Sequence, residues 1–161
     1  MNFGRIIGAG AAGLGLVGAG YAGLGGQDDT VRNDDGAVVE GGEVGAFRIR
    51  LGDCLQDISG TTFESVEAVP CADPHASEVY HAFLLTGAEW PGRDAVGSQA
   101  DDGCFDAAET SLDLSIGLEE YGITSITPTE QSWDELDDRE ILCLVGRADG
   151  GITVGSVRYS G

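Results

Sequence analysis

The first 26 residues place the strongest constraint on what this chain can fold into, because they lack the charges that a globular surface needs. Arg5 is their only charged side chain, and ten of the 27 glycines fall within Met1–Gly26. A short basic start followed by about 20 apolar residues is long enough to cross a hydrocarbon core of roughly 30 Å. We therefore predict a signal peptide or signal anchor over residues 1–26, with residues 6–26 in the membrane.

The single positive charge also predicts an orientation for this segment. Arg5 would stay on the cytoplasmic side, so the protein would cross the cell membrane once with its C-terminal domain outside. Secretion is the alternative, because the small residues Gly20 and Ala22 permit signal cleavage after Ala22. A lipoprotein anchor needs a cysteine at the cleavage point, and the first cysteine is Cys54.

A glycine pattern in the same segment matches a nucleotide-binding fingerprint. Gly8, Gly10 and Gly13 fit G-x-G-x-x-G after a short apolar stretch. The helix that must follow would contain several more glycines, each costing about 1 kcal/mol relative to alanine. No second apolar strand leads into the acids that follow. We therefore expect no bound nucleotide, and we predict no cofactor.

The overall charge narrows the classes of partner. The chain has 28 acidic residues and eight basic ones, a formal charge of −20, and its first acid is Asp28. Such a surface repels nucleic-acid phosphates and anionic lipid headgroups. We therefore expect no nucleic-acid partner. An apolar content of 42% nevertheless predicts a packed core.

The remaining chain divides into a linker and one domain. Residues 27–46 are rich in Asp, Glu and Gly, which is typical of an extended acidic linker. Residues 47–160 form the expected extracytoplasmic domain. Alternating apolar residues predict strands at 47–51, 63–69, 78–85, 122–127, 140–145 and 152–159, the last two forming a hairpin.

Two helices complete this prediction. Apolar residues recur at helical spacing from Val96 to Leu112, and Thr129 can cap a short helix that carries Trp133. In the third strand, Val79, His81 and Phe83 are expected on one face. The order of elements predicts an α+β domain with a small, mainly antiparallel sheet and one or two helices.

Four widely spaced cysteines, Cys54, Cys71, Cys104 and Cys143, indicate two disulfides. Zinc sites prefer close C-x₂₋₄-C pairs, whereas 16 residues separate the nearest pair here. Behind an export signal, an even number of cysteines predicts a disulfide-stabilised domain. Of three possible pairings we favour Cys54–Cys71 and Cys104–Cys143, because the second would hold the glycine-weakened helix to a strand. A reduced cytoplasmic protein with four thiols is the alternative.

Several motifs together resemble the bacterial septum-formation domain family. They are G-D-C at Gly52–Cys54, C-A-D-P-H-A-S-E-V at Cys71–Val79, W-P-G at Trp90–Gly92, P-T-E-Q-S-W at Pro128–Trp133, then Arg139 and Cys143. The resemblance implies an exported or membrane-anchored domain linked to septum formation and cell division, without a defined biochemical activity. Many relatives have Gly-Asp before the arginine, where this chain has Asp137-Asp138.

These motifs supply the candidate binding or structural residues: Asp53, Pro74, His75, Glu78, Trp133 and Arg139. We predict no catalytic residue and no metal ligand. An oxidised Cys71 would leave His75 no thiol to activate, and no serine lies in a G-x-S-x-G elbow. We therefore expect non-enzymatic binding of an envelope or division protein that the sequence does not identify. The alternative is a secreted metal-binding protein or hydrolase centred on His75, Asp73 and Glu78.

Overall fold

The computed structural model describes residues 6–9, 27–58, 63–113, 115 and 117–159. Within these residues the strands are β1 (Ile6–Ala9), β2 (Val31–Arg32), β3 (Val38–Glu40), β4 (Gly42–Gly45), β5 (Cys54–Leu55), β6 (Ser65–Val69), β7 (Ser77–Leu84), β8 (Tyr121–Thr127) and β9 (Glu140–Arg147). The helices are α1 (Arg93–Ser111) and α2 (Glu130–Leu136), and a short 3-10 turn, Leu118–Glu120, precedes β8.

Seven of these strands form one antiparallel sheet in the order β1-β8-β9-β7-β5-β6-β4. The remaining strands, β2 and β3, form a separate hairpin. Residues of β9 alternate between the two faces of the sheet, so Leu142 and Leu144 join one apolar cluster while Ile141 and Val145 join the other. The mainly antiparallel sheet with two helices confirms the predicted architecture.

Helix α1 covers one face of the sheet and packs on β7, β8 and β9. Its buried residues follow helical spacing: Val96, Ala100, Cys104 and Ala108. Gly103 lets the helix approach β7 closely, because a Cβ atom there would clash with the ring of Phe83. Helix α2 begins with a capping box in which Thr129 accepts from the backbone N–H of Ser132.

The opposite face is covered by residues that the sequence led us to expect in a linker. Instead of an extended segment, residues 27–46 contain β2, β3 and β4, and Val38 and Val44 are buried in the core. Strand β4 pairs with β6 along its whole length. The acidic composition of this stretch gave no sign that its valines are buried. Because its strands and valines belong to the fold, the structured domain begins well before residue 47.

Three local expectations were also wrong. Residues 47–51 form turns between β4 and β5 instead of a strand. In β7 the register shifts between Val79 and His81, so Val79 and Phe83 pack on opposite faces of the sheet. Residues 152–159 form isolated bridges with His75 and Leu112 and do not pair with β9 as a hairpin.

The predicted membrane segment lies almost wholly outside the described residues. Ile6–Ala9 is described as β1, an edge strand whose partner is β8. Among the described residues, no helix combines the length and the apolar character that a membrane crossing requires. The signal or anchor over residues 1–26 therefore stays a prediction.

Candidate functional site

Both predicted disulfides are present with the favoured pairing. Cys54 and Cys71 are bonded with their Cα atoms 5.2 Å apart, and Cys104 and Cys143 with theirs 5.4 Å apart. The first bond ties β5 to the turn that follows β6. The second joins the middle of α1 to the interior strand β9, so the helix cannot leave the sheet without breaking a covalent bond.

Asp53 anchors the β2–β3 hairpin to the domain through Arg32. The two Asp53 carboxylate oxygens accept from Arg32 Nη1 at 2.6 Å and Nη2 at 3.0 Å, and one also accepts from the backbone N–H of Arg50 at 2.9 Å. Only 2% of the Asp53 side chain and 10% of the Arg32 side chain are exposed. The hydrogen bond with Asp53 raises the pKa of Arg32. This contact makes Asp53 a structural residue.

Glu78 and His75 hold the C-terminal segment in a similar way. The buried Glu78 carboxylate accepts from Ser156 Oγ at 2.6 Å and from the backbone N–H of Val157 at 2.7 Å. His75 is fully buried, and its backbone exchanges two hydrogen bonds with Thr153. These contacts explain why the C-terminal residues cross the domain instead of pairing with β9.

The proposed alternative centre is not assembled as a ligand set in the described residues. The His75 ring contacts the backbone carbonyl of Asp73 at 2.9 Å through Nδ1, and its Nε2 is buried without a hydrogen-bond partner there. Glu78 does lie near Cys54 and Cys71, within 4.8 Å, but these two sulfurs are bonded to each other. The neighbouring Pro74 is exposed, and its carbonyl accepts from Gln56 Nε2.

Trp133 and Arg139 form a second structural cluster beside the start of α1. The Trp133 indole is buried and donates to the Ala88 carbonyl at 3.1 Å. The Arg139 guanidinium lies 3.7 Å from the centre of that ring and donates to the Trp133 carbonyl. Trp90 meets Trp133 edge to face with ring centres 5.5 Å apart. Trp133 and Arg139 thereby position Trp90.

Trp90 in turn lines a pocket of about 290 Å³ between the start of α1, the end of β8 and the start of α2. The walls of this pocket, which we call the interhelical pocket, bring together residues of two of the family-like motifs, W-P-G and P-T-E-Q-S-W. Ser125 and Thr127 face it from β8; each residue is only 4% exposed.

Three charged side chains complete the pocket: Arg93, Asp101 and Glu130. Arg93 is exposed and has no ion pair with a described residue. Burial, together with the neighbouring charge of Asp102, raises the pKa of Asp101. The arrangement can therefore satisfy a ligand that carries both signs of charge.

Sequence reasoning did not single out Arg93, Ser125 or Thr127. In β8, Ser125 and Thr127 alternate with the buried Ile126, so they look like ordinary solvent-facing positions of a half-buried strand. The structure turns them toward a helix instead. By strand alternation, Ser125 and Thr127 lie on the same face of β8 as Tyr121 and Ile123. The apolar character of that face was the only signal in the sequence that it is covered.

The fold and these contacts define a disulfide-stabilised, mainly antiparallel α+β domain with a polar pocket beside its helices. The family model for septum formation matches residues 51–158. The chain belongs to this septum-formation family, which links it to cell division and confirms the resemblance. Comparison with curated proteins and with solved structures gives no significant match.

Proposed function

We propose that this protein is an extracytoplasmic domain that acts in septum formation by binding a partner in the cell envelope, without catalysing a reaction. One observation carries the proposal. The family motif residues Asp53, Glu78 and Trp133 are engaged in contacts that hold the fold together. The motifs thereby shape the interhelical pocket and its surroundings, which suits a recognition surface on a rigid scaffold.

Export is supported by the oxidised cysteines. Two disulfides in one small domain are typical of secreted or periplasmic proteins, because cytoplasmic thiols are kept reduced. The apolar residues 6–26 supply the export signal and, if uncleaved, a single membrane anchor with the acidic domain outside. In the anchored form Ile6–Ala9 lie in the membrane and do not pair with β8. Secretion after cleavage at Ala22 is the alternative arrangement.

The partner of such a surface should be neutral, basic or bridged by cations. The formal charge of −20 repels an acidic partner at a distance and speeds the approach of a basic one. Attraction of this kind is screened by salt. Binding that weakens as ionic strength rises supports a basic partner, whereas binding that strengthens contradicts direct electrostatic attraction.

Fractionation of cells tests location and topology. We expect the full chain in the membrane fraction, accessible to protease added outside the cytoplasm and lacking free thiols on non-reducing intact-mass analysis. A cytoplasmic chain with four free thiols contradicts the proposal. A chain found outside the cell without residues 1–22 supports the secreted form and rules out the anchor.

The second candidate is a metal-binding protein or hydrolase centred on His75, Asp73 and Glu78. Its support is the unpartnered, buried Nε2 of His75. Metal analysis of the purified full chain separates the two candidates. Stoichiometric zinc that is lost in His75→Ala, but retained in His81→Ala, favours the metal protein. Absence of bound zinc in a folded, oxidised chain favours the binding domain.

A further inference from the structure

Ser125 and Thr127 line the interhelical pocket from the end of β8. Both residues are only 4% exposed. The two side chains lie two residues apart on one face of β8, roughly 7 Å along the strand. Together they give the interhelical pocket a polar wall.

Charges of both signs lie on the other walls. Arg93 begins α1, and Asp101 follows two turns later, roughly 12 Å along the helix axis. Glu130 lines the pocket from the start of α2. Arg93 can bind a carboxylate, while the two acids can bind an ammonium group. Trp90 adds an aromatic wall for an apolar or cationic part of the ligand.

This arrangement discriminates between classes of ligand. A phosphate or sulfate would meet Asp101 and Glu130 in the pocket and a strongly acidic molecule around it. A neutral sugar would leave the charged walls unpaired. A short peptide with both ends free carries charges of opposite sign at a separation comparable to that of Arg93 and Asp101 along α1.

We propose that the interhelical pocket binds a short zwitterionic peptide. Its carboxylate lies against Arg93 and the Ser125 and Thr127 hydroxyls, and its ammonium group lies against Asp101 and Glu130. One side chain packs on Trp90. This assignment rests on the proposed binding role, but it does not depend on where in the cell the protein works.

The probe is trialanine, added to the oxidised full-length chain labelled with ¹⁵N. The chain has two tryptophans, so the indole N–H signals report the pocket with little overlap. We expect a saturable shift of the Trp90 indole and of the Arg93 and Gly97 amides. Acetylating the N-terminus or amidating the C-terminus should each weaken binding about tenfold, or about 1.4 kcal/mol. Equal binding of doubly blocked trialanine, or no saturable shift at about 10 mM, overturns the proposal.

Variants separate recognition from folding. Arg93→Ala should weaken trialanine binding about tenfold or more, whereas Arg48→Ala, which removes the same charge outside the pocket, should not. The double variant Ser125→Ala, Thr127→Val should also bind less tightly, with an unfolding midpoint that is unchanged or higher. Unchanged binding in this double variant refutes the proposal. A lowered midpoint refutes it as well, because the hydroxyls would then be structural.

The two proposals fail in different ways. A cytoplasmic location with trialanine binding intact contradicts the envelope role and leaves the pocket assignment standing. An extracytoplasmic chain that septates normally but binds no free-ended peptide contradicts the pocket assignment alone.

Discussion

The Cys104–Cys143 disulfide should contribute more to stability than the Cys54–Cys71 disulfide. Helix α1 has no side-chain cap at its first turn, and Gly97 and Gly103 weaken it from within. Its hold on the sheet therefore depends on small buried residues and on this covalent bond. Replacing both cysteines of the bond with alanine removes the bond and two buried sulfur atoms, and the cavity that they leave adds to the loss of stability.

The size of the effect follows from loop length. The two bonds close loops with sequence separations of 39 and 17 residues. Loss of loop-closure entropy in the unfolded chain gives about 3.9 kcal/mol for the longer loop and about 3.2 kcal/mol for the shorter one at 25 °C. Both losses are a large share of the about 5–15 kcal/mol that stabilises a typical domain.

Guanidinium unfolding of the oxidised full-length protein and of both double-alanine variants measures these values. We expect the Cys104→Ala, Cys143→Ala variant to unfold at the lower denaturant concentration and to lose trialanine binding first. The matched control is Cys54→Ala, Cys71→Ala, which leaves α1 attached. A loss below about 1 kcal/mol for the α1 bond, or a larger loss for the other bond, would refute the reasoning.

Three further predictions concern single charged residues. Arg32→Ala should cost about 3 kcal/mol, because it leaves the buried Asp53 carboxylate without its cationic partner. Arg50→Ala, at an exposed position, should cost under about 0.5 kcal/mol in the same denaturation experiment. Arg139→Ala should cost about 2 kcal/mol and broaden the Trp133 indole signal, because the ring loses its cation–π partner; an unchanged signal contradicts the stacking. Burial alone would raise the pKa of Asp28, but hydrogen bonds from Thr30 and the charge of Arg32 lower it below its ordinary 3.8. Asp28 therefore adds stability at neutral pH that is lost as pH falls below 3.8, and Asp28→Asn should be less stable than wild type near neutrality and equal to it in acid.

The sequence was sufficient to predict the elements on which the pocket stands. Helical spacing from Val96 to Ala108 and the capping residue Thr129 predict both helices, because periodicity and caps are local signals. The cysteine pairing also followed from the order of strands and helix. Each of these features is determined by residues that are close together in the sequence.

The missed features depend on contacts between distant residues. Val38 and Val44 are buried because β4 pairs with β6, and the acids around them gave no sign of it. Residues 152–159 do not pair with β9, because Ser156 and Val157 donate hydrogen bonds to the Glu78 carboxylate. The polar pocket was missed for the same reason, since Ser125 becomes a pocket residue only when α1 lies over β8.

The central claim is that this septum-formation protein works by binding through its interhelical pocket outside the cytoplasm. The most direct test is septum spacing in cells whose only copy of the protein is the Arg93→Ala variant at normal abundance. We expect longer cells with fewer septa, while Arg48→Ala cells divide normally. Normal septation by Arg93→Ala cells would contradict the claim.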